Sequence, residues 1–289
     1  MRAPVLVRWV VLPSLAALAL ACSGGPDNTC KSGAEALSVC AGANTVKGVD
    51  VSYYQGTIDW SAAKGAGVKF AIARVSDGTT FEDPKFAANW SGMKAQGIVR
   101  GVYQFFRPGQ DPVKQADLLV DTINKLGTQA TDLPPVMDIE TVDGVATSTL
   151  RANMKKWLDR VEQRVGRKPI IYTAAFMSST IGTGWTAYPL WVANYGVSCP
   201  TMPSDWTKWK FWQSSSTGKV AGISGNVDVD AWNGTLQELI DWANPPAPNP
   251  PPPSGDAGAP ANPPPTSTGT PAAPPPAPTT PAPVDPCAP

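Results

Sequence analysis

The 289-residue chain contains no histidine, and that absence excludes most of the common ways of moving a proton near neutral pH. A nucleophile with an imidazole base, a His-ligated zinc and an imidazole shuttle all need a residue the chain lacks. Any enzymatic proton work must fall to carboxylates or to a thiol. Surplus charge is missing as well: 23 Lys+Arg stand against 23 Asp+Glu. A nucleic-acid partner would call for a cationic excess, so none is expected. No Gly-x-Gly-x-x-Gly follows the first strand-like run and no Walker-type loop occurs, so no nucleotide cofactor is expected.

The two ends differ from the middle. Arg2 and Arg8 precede an apolar run from Trp9 to Ala21, interrupted by Pro13 and Ser14 and followed by Cys22. This has the length of a signal-peptide core and is short for a bilayer span. Leu18-Ala19-Leu20-Ala21-Cys22 resembles a bacterial lipobox, with Ala19 where Leu is usual, so residues 1–22 read as a lipoprotein signal and Cys22 as the lipidated residue. A plain secretory signal is the alternative. Residues 23–45 read as a tether. Residues 244–289 hold 20 of the 32 prolines and almost nothing to bury, which predicts an extended spacer. With Cys22 lipidated, Cys30, Cys40, Cys199 and Cys287 allow three pairings in an oxidising compartment. Cys30 with Cys40 closes the shortest loop and is the first choice, which would leave Cys199 for Cys287.

Residues 46–243 are long enough for a full core. Short β-branched runs at 47–52, 69–75, 99–105, 135–140, 169–173, 190–195, 210–213 and 226–230 alternate with amphipathic segments. Asp111-Pro112 opens a helix to about Leu126, residues 149–165 carry apolar side chains at helical period, and Thr235 with Glu238 forms a capping box for the last helix. The pattern predicts an α/β fold, a parallel modified TIM-like barrel of five βα units followed by three strands with few helices.

Chemistry in such a barrel lies at the C-terminal strand ends, which directs attention to Asp50, to Asp138 and Glu140, and to Asp228 with Asp230. Positions 138 and 140 share a face on a strand, with Ile139 turned away. Two crowded, partly desolvated carboxyls raise the pKa of at least one of them, as general-acid cleavage of a glycosidic bond requires. A lone strand-end Asp is more often a loop hydrogen-bonder, but a hydrophobic strand ending in two same-face acids has no evident structural gain. No loop supplies oxygen ligands at calcium-site spacing, so no metal is expected. Tyr53, Tyr54, Tyr103, Phe105, Phe106, Tyr172, Trp191, Tyr195 and Trp212 fall on or beyond strands, where rings can stack on sugars, although about half should simply be barrel wall. Trp157, Trp232 and Trp242 fall on or near helices and read as packing.

Four blocks, in order, resemble the glycoside hydrolase family 25 lysozymes: Gly48-Val-Asp-Val-Ser-Tyr-Tyr-Gln-Gly56, Gly101-Val-Tyr-Gln-Phe105, Pro135-Val-Met-Asp-Ile-Glu140 and Val227-Asp-Val-Asp-Ala-Trp-Asn-Gly234. The resemblance implies a muramidase acting on peptidoglycan, with Glu140 as general acid, Asp138 as its acidic partner, and Asp50 and Asp228 flanking. It implies Tyr103, Tyr172 and Trp191 as substrate-lining aromatics, with Tyr54, Tyr195 and Gln213 as further substrate-binding candidates. The family usually has Tyr-His-Phe in the third-strand block, and Gln104 takes the place of that His here. Asp230 stands where Asn is common. The expected protein is an exported monomer, lipid-anchored in the envelope. Its rival is a non-catalytic peptidoglycan-binding lipoprotein. A chitin-cleaving barrel is disfavoured because Leu133 and Val136 interrupt its usual run of acids on the fourth strand.

Overall fold

A computed structural model describes residues 36–244. The signal segment with Cys22, most of the tether and the Pro-rich segment lie outside the described residues. Nine strands form one sheet: β1 (Thr45–Val51), β2 (Phe70–Asp77), β3 (Phe81–Glu82), β4 (Val99–Phe105), β5 (Val136–Asp138), β6 (Ile170–Ala174), β7 (Leu190–Ala193), β8 (Phe211–Gly218) and β9 (Val227–Asn233). The order β1-β2-β4-β5-β6-β7-β8-β9 closes through the β1–β9 pairing, and β3 is a short hairpin partner of β2 outside that ring. Helices α1 (Trp60–Gly65), α2 (Phe86–Ala95), α3 (Pro112–Leu126), α4 (Thr147–Val165) and α5 (Ser178–Ile181) follow the first five barrel strands, and α6 (Leu236–Ala243) ends the fold.

The predicted parallel barrel is corrected at its last strand. β9 runs antiparallel to both β8 and β1, because the short link from β8 contains no crossover helix to carry the chain back. Closure is therefore mixed, with α/β units on one side and a small antiparallel meander on the other.

Period-two alternation divides the buried residues into two cores. Inward side chains, among them Val46, Phe70, Ile72, Val136, Ile170, Phe211 and Trp232, fill the barrel together with Leu239 and Ala243 of α6. Outward ones, among them Val49, Ala71, Val102, Met137, Ile171 and Val192, meet the helices. Trp232 lies in the barrel interior on β9 and packs against Trp242 of α6, ring centroids 5.3 Å apart. A Cβ at Gly48 would overlap the Phe70 ring, so the interior layer needs a glycine there.

Two expectations about the N-terminal side are overturned. The described part of the segment read as tether, from residue 36 on, is held to the domain: Ser38 bridges Thr201, Val39 N–H donates to Pro200 O at 3.0 Å, Met202 N–H donates to Leu37 O at 2.7 Å, and Trp209 Nε1 donates to Val39 O at 2.7 Å. That placement brings Cys40 against Cys199, and these two form the disulfide, with Cα atoms 4.2 Å apart. The Cys30–Cys40 pairing is therefore wrong. Loop length favours the nearer thiol, but the folded chain fixes which pair can meet.

Candidate active site

The acids gather at one mouth because of strand direction. Asp50 is the second-last residue of β1 and Asp138 the last of β5, both at the C-terminal end of the parallel strands. Asp228 lies at the start of β9, and the antiparallel run of that strand pairs it with Asp50. Asp230, two residues on, lies one layer deeper opposite Gly48 and Gln213. Had β9 run parallel, Asp228 would sit toward the opposite end of the barrel.

A cavity of about 250 Å³ at this mouth is lined by all ten predicted site residues of the barrel: Asp50, Asp138, Glu140 and Asp228, with Tyr54, Tyr103, Tyr172, Trp191, Tyr195 and Gln213. A second cavity of about 380 Å³, lined in part by Ala174, Phe176, Asn194 and Thr201, meets the first at Glu140, Tyr172 and Tyr195. Phe176 is exposed on its rim. Not every predicted trough aromatic lies in the trough. Phe106 is buried in the outer core, and Trp212 turns outward to donate its Nε1 to Asn194 O at 2.8 Å.

Asp138 is buried while Glu140, just past the strand end, reaches solvent. Ile139 between them faces the outer core. Burial pushes the Asp138 carboxyl well up, and the neighbouring Glu140 adds to the rise through its charge and a hydrogen bond. Burial also raises Glu140, while the same hydrogen bond favours its ionised form. Burial thus disfavours both charges at once, which sets the pair up to share a proton. Asp228 is pushed up to about 6, mainly by burial and then by the charge of Glu140.

Beneath this pair runs a second network. Tyr172 and Tyr195 donate their hydroxyls to Gln213 Oε1 at 2.7 and 2.5 Å, and Gln213 Nε2 donates to Asp50 Oδ2 at 2.6 Å. One amide thus fixes two aromatic rings and one acid. Burial raises Asp50 and Asp230 well above the carboxylate range, each then raised further by a neighbouring Asp charge. Trp191 Nε1 donates to Asp230 Oδ1 at 2.9 Å.

Folded Asp50 and Asp230 hold protons that the unfolded chain releases. Their stabilising contribution is therefore complete below the unfolded carboxylate pKa and is lost as pH rises through the raised values. Asp230→Asn should relieve this, because the amide can donate to Asp50 and still accept from Trp191. The variant is expected to gain about 1–3 kcal/mol near pH 8, with a flatter fall of stability with pH. Urea unfolding across a pH series tests it, and an unchanged slope would remove Asp230 as the source.

Sequence reasoning missed Arg74. It points into the same cavity from β2, its Nε is paired with Asp83 Oδ2 at 3.1 Å, and its Nη2 is buried without a partner. Its guanidinium lies 5.1 Å from the Tyr53 ring centroid and 5.6 Å from that of Tyr54. The available signal was a lone cation inside the apolar run Phe70-Ala71-Ile72-Ala73-Arg74-Val75. Gln104 faces away from the site. It is fully buried, its Nε2 donates to Ser76 Oγ at 2.8 Å and Gln115 O at 3.0 Å, and its Oε1 accepts from Trp157 Nε1 at 2.7 Å. The position where the family usually has His thus joins strand to helix and takes no part in the chemistry.

Residues 49–223 match the family model for glycosyl hydrolases family 25. Lysozyme M1 of Streptomyces globisporus is 38% identical over 210 residues, covering 69% of this chain and 71% of that protein. The crystal structure of the bacterial lysozyme from Streptomyces coelicolor superposes with a TM-score of 0.65 at 36% identity, covering 70% of this chain and 99% of that one. A muramidase from Trichobolus zukalii gives a TM-score of 0.62 at 27% identity, covering 69% and 99% respectively. The mixed barrel, its acid-lined mouth and these matches agree: the chain belongs to glycosyl hydrolase family 25 and is a glycoside hydrolase.

Proposed function

We propose that the protein is an exported muramidase that cleaves the β-1,4 bond between N-acetylmuramic acid and N-acetylglucosamine in peptidoglycan. The observation that carries this reading is the meeting of two cavities at Glu140, directly beside Asp138. A glycan laid across both would place its scissile oxygen at the proton-sharing pair and its rings against Tyr172 and Tyr195. The names of the relatives, lysozyme and muramidase, support the choice of polymer.

In the proposed reaction the substrate's 2-acetamido oxygen attacks the anomeric carbon as the bond to the leaving oxygen breaks, and Glu140 gives that oxygen the proton of the pair. Asp138, now ionised, accepts a hydrogen bond from the acetamido N–H and stabilises the positive ring that forms. Water then attacks the anomeric carbon, returns a proton to Glu140 and opens the ring. Asp50 shapes the floor, and Asp228 adds negative potential near the developing oxocarbenium charge. Arg74, with its unpartnered Nη2, binds a substrate oxygen. On the same reading, residues 1–22 are a signal removed before a lipidated Cys22, the barrel occupies residues 46–243, and residues 244–289 are a spacer.

The test is incubation of the full chain with purified peptidoglycan, followed by borohydride reduction and mass spectrometry. Muramitol ends are expected, and glucosaminitol ends or none would overturn the reading. Early proton NMR should show the β-anomer, since acetamido participation retains configuration, whereas an α-anomer would mean direct attack by water. The rate should fall as pH rises through the raised pKa of the Asp138–Glu140 pair, because only the singly protonated pair can donate. With no imidazole in the chain, that limb should belong to carboxyls alone.

A further inference from the structure

The N-terminal end of the barrel, opposite the acid mouth, carries a cavity of about 460 Å³. Its floor is formed by Pro134, Tyr188, Leu190, Trp206 and Trp242, and its charged lining consists of Arg167, Lys168, Lys208 and Lys210, with no carboxylate among the lining residues. The chain as a whole is balanced, so four cations in one cavity are a local concentration of charge.

The acids around the cavity are engaged elsewhere. Asp132 is clamped by Arg100 Nε and Nη2 at 2.6 and 3.0 Å. Glu238 closes the cap of α6 on Thr235, and Asp241 accepts from Gln237 Nε2 at 2.8 Å. Glu162 lies 3.7 Å from Lys168, at the outer edge of ion pairing. Among the described residues, Arg167, Lys208 and Lys210 form no ion pair with a carboxylate. Arg167 donates to two backbone carbonyls, of Asp132 and Trp242, at 3.0 Å each, which fixes its fork at the cavity wall. Lys210 lies over the Trp232 and Trp242 rings at 5.1 and 5.9 Å. Burial and then the adjacent Lys208 charge depress its ammonium pKa, and an incoming anion would offset the repulsion between the two cations.

We propose that this cavity binds a carboxylate-bearing peptide of the cell wall. The aromatic and aliphatic floor suits a ligand with a hydrocarbon body more than a bare inorganic ion. Cations paired at the ends of two strands, Arg167 and Lys168 before β6 and Lys208 and Lys210 before β8, suit separated negative groups, and a planar guanidinium suits carboxylate. The inference rests on the muramidase reading: in peptidoglycan the glycan is neutral and the stem peptides carry the free carboxylates. A peptide held at the far end of the barrel would keep the enzyme on its polymer between cleavages by raising the local concentration of glycan at the mouth.

The test is calorimetric titration of the full chain with an acetylated stem tripeptide carrying free D-glutamate and diaminopimelate carboxylates, with inorganic phosphate as the comparison anion. Binding that weakens with salt is expected, together with a loss of about tenfold or more in Lys208→Gln/Lys210→Gln. This double variant should unfold at the wild-type urea midpoint, cleave wall glycan stripped of peptides at the wild-type rate and cleave intact wall more slowly. Equal peptide binding by both proteins, or binding of phosphate but not of peptide, overturns the proposal. A chain that binds the peptide through these lysines but releases no reducing ends refutes the muramidase reading and upholds the cavity assignment. One that cleaves wall but binds no peptide does the reverse.

Discussion

Glu140→Gln is expected to lower kcat on peptidoglycan by about 10²- to 10⁴-fold, the usual contribution of a positioned general acid. The amide keeps the size of the side chain and can still hydrogen bond with Asp138, but it has no proton to transfer. Affinity for wall should stay close to wild type, because the aromatic rings and Arg74 that would hold the glycan are untouched. The unfolding free energy should not fall, since burial already disfavours the Glu140 charge and the amide removes it. Asp138→Asn should produce a drop of similar order by a different route, leaving Glu140 without its proton-sharing partner and the positive ring that forms without an anionic partner. Rates on purified wall, with binding measured in the same preparation, check both. Full activity in either variant would refute the assigned acid pair.

Cys199→Ser is expected to lower unfolding free energy by about 2–4 kcal/mol, as removal of a cross-link closing a long loop typically does. The bridge joins residues 159 apart in sequence, so the oxidised unfolded chain is strongly restricted. Urea unfolding should show the loss, and reductant should bring wild type to the same midpoint while leaving the variant unchanged. A functional effect should accompany it. Asn194, Tyr195 and Thr201 border the second cavity, and Thr201 N–H donates to Asn194 Oδ1 at 2.8 Å, so the bridge steadies a wall of the cleft. KM for wall should rise on reduction with little change in kcat. A reductant effect as large in Cys199→Ser as in wild type would point to another thiol.

The strand and helix alternation was readable because each element carries its own signal. β4 spans the expected residues, α3 begins at the Asp111 cap with Pro at its first position, and α6 carries the expected box between Thr235 and Glu238. The acids were readable for a similar reason: charge in a buried apolar strand needs an explanation, and period two placed Asp138 and Glu140 on one side. Arg74 carries that same signal, a charge inside an apolar strand run, but a cation there does not mark proton chemistry.

What local sequence could not supply is direction, depth and partnership across distance. The antiparallel course of β9 is not encoded in its own residues, yet it alone puts Asp228 beside Asp50 and sets Asp230 one layer below. The disulfide followed from backbone contacts between segments about 160 residues apart, a meeting that no spacing rule expresses. The missing histidine shows both sides. By itself the sequence determined that any proton transfer here must run through carboxyls or a thiol, since residue chemistry is fixed by composition. Only the tertiary structure decided that position 104 points into the helix layer and that four carboxyls line the mouth with Asp230 one layer below, because burial and mutual distance, which set their protonation, exist only once the barrel has closed.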